Sequence, residues 1–178
     1  MNLDNVITSR RSIRKYKNQK VERNVIEQLI QSAIMAPTWK NSQTARYYIV
    51  ESEEMLAEVK SDCLPEFNAN NCKDAPVLIV TTFIKNRSGY ERNGEASNEL
   101  GNHWGAYDLG LHSQNLLLKA TDLGLGTLVM GIRDAEKIHD VLEIPKEQEI
   151  VSIIAVGYPD IAPEAPKRKT VEDIVVYK

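Results

Sequence analysis

The chain has 178 residues, a length that suits one domain with its own hydrophobic core. Its 22 basic and 25 acidic side chains give a formal net charge of −3, which argues against a partner that is a nucleic acid or an acidic membrane. Cys63 and Cys72 lack metal-ligand companions and Cys-x-x-Cys spacing, so we expect reduced thiols and no metal site. The sequence shows no apolar leader or bilayer-spanning run, which predicts a cytoplasmic protein.

Apolar side chains at helical spacing and runs of β-branched residues alternate along the first half of the chain. A broad apolar stripe predicts an amphipathic helix over 21–34, which Pro37 ends. A continuous apolar run predicts a strand over 76–83 that is covered on both faces. The predicted elements of this half are helices over 3–7, 21–34 and 53–60 and strands over 47–51 and 76–83.

Residues 85–104 are polar and rich in Asn, Gly and Glu, so we expect a mobile excursion there. A long helix follows over 105–123 and ends at Gly124, because glycine suits the C′ position of a helix. The remaining predicted elements are a strand over 126–130, a helix over 134–142 and a strand over 150–156. Strands and helices interleave, which predicts a mixed α/β or α+β sheet sandwiched by helices.

The chain ends in a basic, proline-containing arm followed by residues 171–177, which alternate like a strand. A lone strand needs the edge of a sheet to pair with, and a second subunit could supply that edge. We therefore interpret residues 160–178 as an extended tail that crosses to a partner, within a single domain spanning 1–178.

A dense basic cluster lies near the start of this acidic chain. Its members are Arg10, Arg11, Ser12, Arg14 and Lys15. The cations repel one another unless an anion neutralises them, and the serine hydroxyl adds a donor of short reach. A phosphate monoester would satisfy the group; the alternative is a solvated basic turn after a short helix.

Three motifs follow one another in a recognisable order. They are Arg-Arg-Ser-Ile-Arg-Lys-Tyr over 10–16, Ala-Pro-Thr over 36–38 with Asn41 and Gln43, and Leu-Gly-Leu-Gly-Thr over 123–127. In order, intervals and chain length they resemble the nitroreductase family of FMN-dependent oxidoreductases, from about residue 4 onwards. The resemblance implies an α+β sandwich with a central mixed or antiparallel sheet flanked by helices. It also implies an obligate, domain-swapped homodimer with two FMN molecules in the subunit interface.

Carried over residue by residue, the resemblance assigns the basic cluster to the FMN phosphate and ribityl chain. Arg10 and Ser12 would be direct ligands, and Arg11 would assist through its main chain or side chain. Arg14 would lie near the pyrimidine edge of the flavin, where positive charge stabilises the anionic character of that ring. In the tail, Arg168 would supply a second cationic contact to the phosphate; the alternative is a solvated charge run.

The resemblance also assigns cofactor contacts to a loop and a helix end. The residues that match a segment reaching the flavin from the opposite subunit are Pro37, Thr38, Asn41 and Gln43. The family usually continues with Pro-Trp, whereas this chain has Thr44 and Ala45, which removes a bulky ring. Asn68 would meet the carbonyl and N3 edge of the flavin, because an amide can both donate and accept. Asn70 and Asn71 are alternatives for that role.

The glycine-containing run after the long helix lacks the complete G-x-G-x-x-G dinucleotide fingerprint. In the resembled family, the backbone amides of this run lie along the flavin near N5 and O4. Its apolar side chains form a bed for the ring, and its last glycine allows the main chain to approach the ring closely. The residues concerned are Thr127, Leu128, Val129, Met130 and Gly131. The alternative is a buried strand, and both interpretations can hold together.

Tyr90 and Trp104 supply rings that could stack over a planar substrate, and His103 is a candidate proton donor or an exposed cap. His112 and His139 receive no role, and no side chain is expected to be an obligatory acid or base. The resemblance implies an FMN-dependent NAD(P)H oxidoreductase that reduces a small-molecule acceptor, such as a nitroaromatic or quinone, by a ping-pong cycle. The alternatives are a specialised flavoenzyme, such as a dehalogenase or dehydrogenase, and a non-enzymatic domain that senses FMN or a phosphorylated ligand.

Overall fold

In the computed structural model, which describes residues 2–178, six α-helices interleave with four strands. The helices are α1 (Leu3–Ser9), α2 (Arg23–Ala33), α3 (Glu53–Asp62), α4 (Glu66–Asn71), α5 (His103–Asp122) and α6 (Ala135–Val141). The strands are β1 (Ala45–Val50), β2 (Val77–Ile84), β3 (Gly126–Met130) and β4 (Gln148–Gly157). A 3₁₀ turn, Trp39–Asn41, lies between α2 and β1. The elements predicted over residues 3–156 are confirmed, whereas α4 and the 3₁₀ turn were not predicted because they are short and lack apolar periodicity.

Local signals set several helix ends as predicted. The side chain of Asp134 accepts a hydrogen bond from the amide of Lys137 and begins α6. Gly124 follows α5 with φ of 75°, a left-handed conformation that glycine adopts without the steric cost of a Cβ. These caps fix where the long helix stops and where the next strand can begin.

The four strands form one antiparallel sheet in the order β1-β2-β4-β3. β2 and β4 are central, and their apolar, β-branched sequences are buried almost throughout. β1 and β3 are therefore the two edges, each with one side free of the other described strands. Both edges are sites where another chain segment or a ligand can reach unpaired backbone groups.

The sheet separates two hydrophobic cores, because successive side chains of a strand point to opposite faces. Leu78 of β2 packs in the core formed with α3, α4 and α6, and Ile79 packs in the core formed with α2 and α5. The result is a helix–sheet–helix sandwich of the α+β class, as predicted. Cys63 and Cys72 are free thiols in the first core, and burial raises the pKa of each to about 11.

The segment after α1 runs along the outer edge of β3. The amide of Ile13 donates to the carbonyl of Thr127 at 2.9 Å, and Ser12 forms a parallel bridge with the same threonine. Further along, the amide of Lys17 donates to the carbonyl of Tyr158 at 2.9 Å. These bonds place the basic cluster at one end of the sheet.

The tail lies apart from both cores. Residues 164–178 are all exposed, and backbone hydrogen bonds to Val171 from Ile174 and Val175 form a turn there. The strand expected over 171–177 is therefore wrong for a single protomer, since no sheet edge of its own chain is within reach of hydrogen bonding. None of the helices over residues 2–178 is long and apolar enough to cross a membrane.

Candidate functional site

The basic cluster and β3 are brought together by close backbone packing. Ile13 is buried between Ser12 and Arg14 and lies against Gly126, where an added Cβ would come within 2.6 Å of the Ile13 Cγ1 atom. Glycine at position 126 is therefore what allows the basic segment to approach the strand. Two sets of residues that the resemblance assigned to one cofactor thus meet at the same sheet edge.

Within residues 2–178, Arg10, Arg14 and Lys15 form no ion pair with an acidic side chain. The Arg14 Nη1 atom reaches only the carbonyl of Ser12, at 3.4 Å. Like charges this close repel one another, so a bound anion would be stabilising. The chemistry of the donors fits the phosphate predicted from the sequence.

Arg11 is placed differently from its neighbours. Its Nη1 atom donates to the carbonyls of Thr8, at 2.7 Å, and Arg10, at 2.9 Å, and so satisfies carbonyl groups at the end of α1. Arg11 also lines a cavity of about 410 Å³ together with Gly124 and Pro159. Its side chain stabilises the helix end, which leaves its main chain as the part that could assist a ligand.

β3 presents backbone groups to the open edge of the sheet. The Thr127 carbonyl accepts a hydrogen bond from the Ile13 amide, so it faces away from β4. In an antiparallel strand, every second residue directs its amide and carbonyl to the same side. The amide and carbonyl of Val129 therefore face the same edge, and the Val129 side chain is 47 % exposed. Leu128 and Met130 are buried in the core instead, so Val129 is the accessible part of the expected apolar bed.

Gly131 and Asn68 lie at the far end of β3. The Nδ2 atom of buried Asn68 donates to the carbonyl of Ile132 at 2.8 Å and ties α4 to the segment that follows the strand. Asn70 is exposed, and Asn71 is half-buried. A Cβ added at Gly131 would meet no atom within 4 Å, so the protein's own packing does not require glycine there.

The loop over 37–43 contains an unusual concentration of left-handed backbone. Lys40, Asn41 and Gln43 have φ of 45°, 54° and 49°, although none of them is glycine. Such residues cost on the order of 1–3 kcal/mol each and cluster at functional sites. The Thr38 Oγ1 atom accepts from the Gln43 amide at 3.2 Å, which holds the loop closed. The exposed side chains are those of Pro37, Lys40, Asn41 and Gln43.

Three aromatic rings join this loop to α5. The rings of Trp39 and Trp104 lie 4.6 Å apart between centroids at 48°, and the Tyr107 ring meets Trp104 edge-on at 5.5 Å. The Trp104 Nε1 atom donates to the Asn98 Oδ1 atom at 2.9 Å. The predicted cofactor loop and the predicted substrate residue Trp104 are therefore neighbours, whereas Trp39 and Tyr107 were missed by the sequence analysis.

The expected mobile excursion is a loop with many internal hydrogen bonds. Asn102 bonds to the amide of Asn86 at 2.7 Å and to its side chain at 2.9 Å. Glu91 forms an ion pair with Lys40 at 2.8 Å, which links the excursion to the loop over 37–43. Tyr90 is half-buried, and His103 is exposed at the first position of α5.

Two buried polar residues of α5 were also missed. One carboxylate oxygen of Asp108 accepts bonds from the Trp39 amide at 2.9 Å and the Ser88 hydroxyl at 2.6 Å. His112, one turn later, lies 3.0 Å from the Tyr47 hydroxyl through its Nδ1 atom. The signal available in the sequence was an acid and a histidine four residues apart in a helix otherwise rich in leucine.

Within one chain, the predicted site residues form two separate groups. One is the basic cluster with β3 and Asn68; the other is the loop over 37–43 with Trp104. No hydrogen bond, ion pair or ring contact among residues 2–178 joins the two groups, and exposed Arg168 contacts neither. This division is what a site shared between two subunits would show.

Comparison with known proteins identifies the family of this chain. The model of the Nitroreductase family matches residues 7–158, and the chain belongs to that family. Because the named relatives in this family are oxidoreductases, the protein is assigned to that class of enzyme.

Relatives and a solved structure give the extent of the likeness. A Methanothermobacter thermautotrophicus protein with the proposed name NADH dehydrogenase/NAD(P)H nitroreductase is 28 % identical over 89 % of this chain and 78 % of its own. A Vibrio harveyi NADPH-flavin oxidoreductase is 25 % identical over 91 % of this chain and 68 % of its own. The crystal structure of a nitroreductase family protein from Clostridium difficile superimposes with a TM-score of 0.82, at 26 % identity, over 100 % of this chain and 99 % of that one.

Proposed function

We propose that this protein is an FMN-dependent NAD(P)H oxidoreductase that reduces a planar organic acceptor, such as a nitroaromatic or a quinone. The observation that supports the proposal most directly is the cluster of cations without acidic partners beside the open edge of β3. A neutral ligand would leave their mutual repulsion uncompensated, whereas a phosphate would neutralise it. The assignment of NAD(P)H and flavin to this protein is based on the names of its relatives and on its family.

In this proposal each group of residues has a separate task. When bound, FMN would supply the hydride chemistry between NAD(P)H and the acceptor in a ping-pong cycle. Arg10 would bind its phosphate and Ser12 the phosphate or the ribityl chain, with Arg168 as a second cation at the phosphate. Arg14 would place positive charge beside the pyrimidine edge, and the Val129 amide would be a donor along the ring. No acid or base among the side chains is required.

The second subunit completes the site in this proposal. A groove of about 590 Å³ runs between α2 and the free edge of β1, and its apolar lining includes Ile30, Ile34 and Ile49. The exposed tail carries apolar side chains at Val171, Ile174 and Val176 that have no cover in a single protomer. We infer that the tail of a second copy occupies this groove, which would bring the loop over 37–43 of one subunit to the basic cluster of the other.

Flavin titrations test the proposed phosphate site. We expect Arg10→Ala to weaken FMN binding by roughly ten- to a hundredfold, about 1.5–3 kcal/mol for a charge-assisted bond, and to leave riboflavin binding unchanged. Riboflavin lacks the phosphate, so the comparison isolates that contact. Arg11→Ala is the matched control and should keep the affinity for FMN, because its guanidinium binds carbonyls at the end of α1. Unchanged FMN affinity in Arg10→Ala would overturn the assignment.

Stopped-flow absorbance tests the enzymatic proposal against the sensor alternative. The FMN-loaded protein should bleach with NAD(P)H and regain its colour with a quinone or nitroaromatic. A protein that binds FMN but is not bleached by either nicotinamide would instead support a flavin-sensing domain.

A further inference from the structure

Asp108 is a buried acidic residue that accepts hydrogen bonds from two distant segments. Its residue is 3 % exposed, and the single oxygen Oδ2 accepts from the Trp39 amide at 2.9 Å and the Ser88 hydroxyl at 2.6 Å. None of the ion pairs among residues 2–178 includes Asp108, so these donors compensate its desolvation. The carboxylate thus joins α5, the loop over 37–43 and the excursion.

Both segments that Asp108 holds pack against the same ring. Trp104 lies one turn before Asp108 on α5 and contacts the Trp39 ring. On another side, a Cβ added at Gly89 would come within 2.7 Å of the Trp104 Cδ1 atom, so Gly89 permits a close approach to the indole. Trp104 therefore lies between Gly89, which follows Ser88, and Trp39, whose amide donates to Asp108.

The loop anchored at Trp39 needs such an anchor. Lys40 and Asn41, the next two residues, both adopt left-handed backbone conformations that relax readily when their surroundings permit. The loop is also linked to the excursion by the ion pair of Lys40 with Glu91, but both of these side chains are exposed, and solvent weakens their attraction. The bond from the Trp39 amide to Asp108 is buried, so solvent does not weaken it in the same way.

We propose that Asp108 is a positioning residue that fixes Trp39 and Trp104 as one rigid aromatic wall, and that this wall selects planar aromatic acceptors. The proposal rests on the proposed function. Tyr107, exposed and edge-on to Trp104, marks the side from which a ring can approach. A small inorganic acceptor such as ferricyanide needs no such wall, so its reduction is independent of Asp108.

Circular dichroism tests the positioning role without any flavin. Trp39 and Trp104 are the only two tryptophans of the chain, so an exciton couplet in the far-ultraviolet spectrum reports their stacking. Asp108→Ala should abolish the couplet in the flavin-free dimer. Asp108→Asn, which keeps an oxygen able to accept both bonds, should restore most of it. A couplet that persists in Asp108→Ala would overturn the positioning role.

Acceptor kinetics of the FMN-loaded dimer test the selection. Asp108→Ala should lower kcat/KM for a quinone and a nitroaromatic by roughly tenfold and leave both ferricyanide reduction and the rate of flavin reduction by NAD(P)H within about twofold. Asp140→Ala, an exposed acid on α6, is the control and should change neither. An equal loss for every acceptor would overturn the selection.

Two further outcomes keep the tests independent. If Asp108→Ala does not fold, Ser88→Ala removes one of the two bonds and should weaken the couplet and lower the aromatic-to-ferricyanide ratio in the same direction. If the wild-type protein binds no flavin, the proposed function fails, and so does the wall as an acceptor site, while the couplet still decides the positioning role.

Discussion

Single side chains in this protein have tasks that their residue type alone does not reveal. Arg10 and Arg11 are adjacent and chemically identical, yet only Arg11 has its guanidinium bound to carbonyls of α1. The difference arises because Ser12 pairs with β3 and neighbouring side chains of an extended segment point to opposite sides. Motif matching assigned both arginines to one ligand, and the local backbone direction separates them.

His112 shows how burial changes a titratable group. Burial lowers the pKa of His112 below its ordinary value of 6.5, although the nearby Asp108 carboxylate opposes this shift. Burial also raises the pKa of Tyr47 to about 12, so the hydrogen bond between its hydroxyl and the His112 Nδ1 atom joins two neutral groups near neutral pH. The unfolded chain therefore binds a proton at this histidine more readily than the folded protein does. The contribution of neutral His112 to the free energy of unfolding is fully present above pH 6.5 and is lost as the pH falls below that value.

We therefore expect His112→Gln to lose less stability than the wild type between about pH 7.5 and about pH 5.5. Urea denaturation of the flavin-free protein at the two pH values measures the difference. His103→Gln, in which an exposed histidine is replaced, should keep the wild-type pH dependence. The same dependence in His112→Gln and wild type would show that protonation of His112 is not coupled to unfolding.

At the scale of elements, β3 is the part of the sheet on which the proposed cofactor site depends. Its inner side is paired to β4, and its outer side is paired only as far as Thr127. A proline at position 129 would remove an amide that faces the open edge, and edge positions are where strands tolerate proline. The strand can thus lose this one donor while its ladder to β4 remains.

Val129→Pro should fold and should bind FMN and riboflavin more weakly by similar factors, roughly two- to tenfold for one lost hydrogen bond. The equal effect on both ligands distinguishes a contact to the ring from the phosphate contact tested with Arg10→Ala. Val129→Ala keeps the amide and is the matched control. If the proline and alanine variants bind both flavins equally well, the amide of residue 129 is not a ligand.

At the scale of the whole molecule, the exposed tail and the groove beside β1 point to a second copy of the chain. Deleting residues 160–178 should give an unstable, flavin-poor or aggregated protein, because the proposed dimer and the proposed site share the same structure. Ile49→Glu, which places a charge in the groove, should weaken the dimer in the same way. Phe67→Glu changes an exposed apolar residue on α4 and should not.

Size-exclusion chromatography with light scattering, together with the flavin absorbance of the same fractions, measures both properties at once. A truncated protein that is monomeric and still binds FMN would contradict a site shared between subunits. A wild-type protein that is monomeric and binds FMN would contradict it as well.

The sequence by itself determined the family and the elements that carry a clear apolar pattern. Runs such as Val77–Ile84 are buried strands because their apolar, β-branched composition is local and needs no knowledge of the rest of the chain. The cap at Asp134 and the left-handed Gly124 were likewise visible in the sequence, because each depends on residues within one helical turn. The basic cluster was also visible, because charge repulsion between near neighbours does not depend on the fold.

Only the tertiary structure decided which residues meet. Asp108 binds the amide of Trp39 across 69 positions, and Asn68 binds the carbonyl of Ile132 across 64 positions. The excursion was expected to be mobile from its polar composition, yet its asparagines bond to one another and Glu91 to Lys40, contacts that composition cannot specify. Such contacts depend on how elements pack and on which way each backbone segment faces, and both are set by the burial of the two cores rather than by any short stretch of sequence.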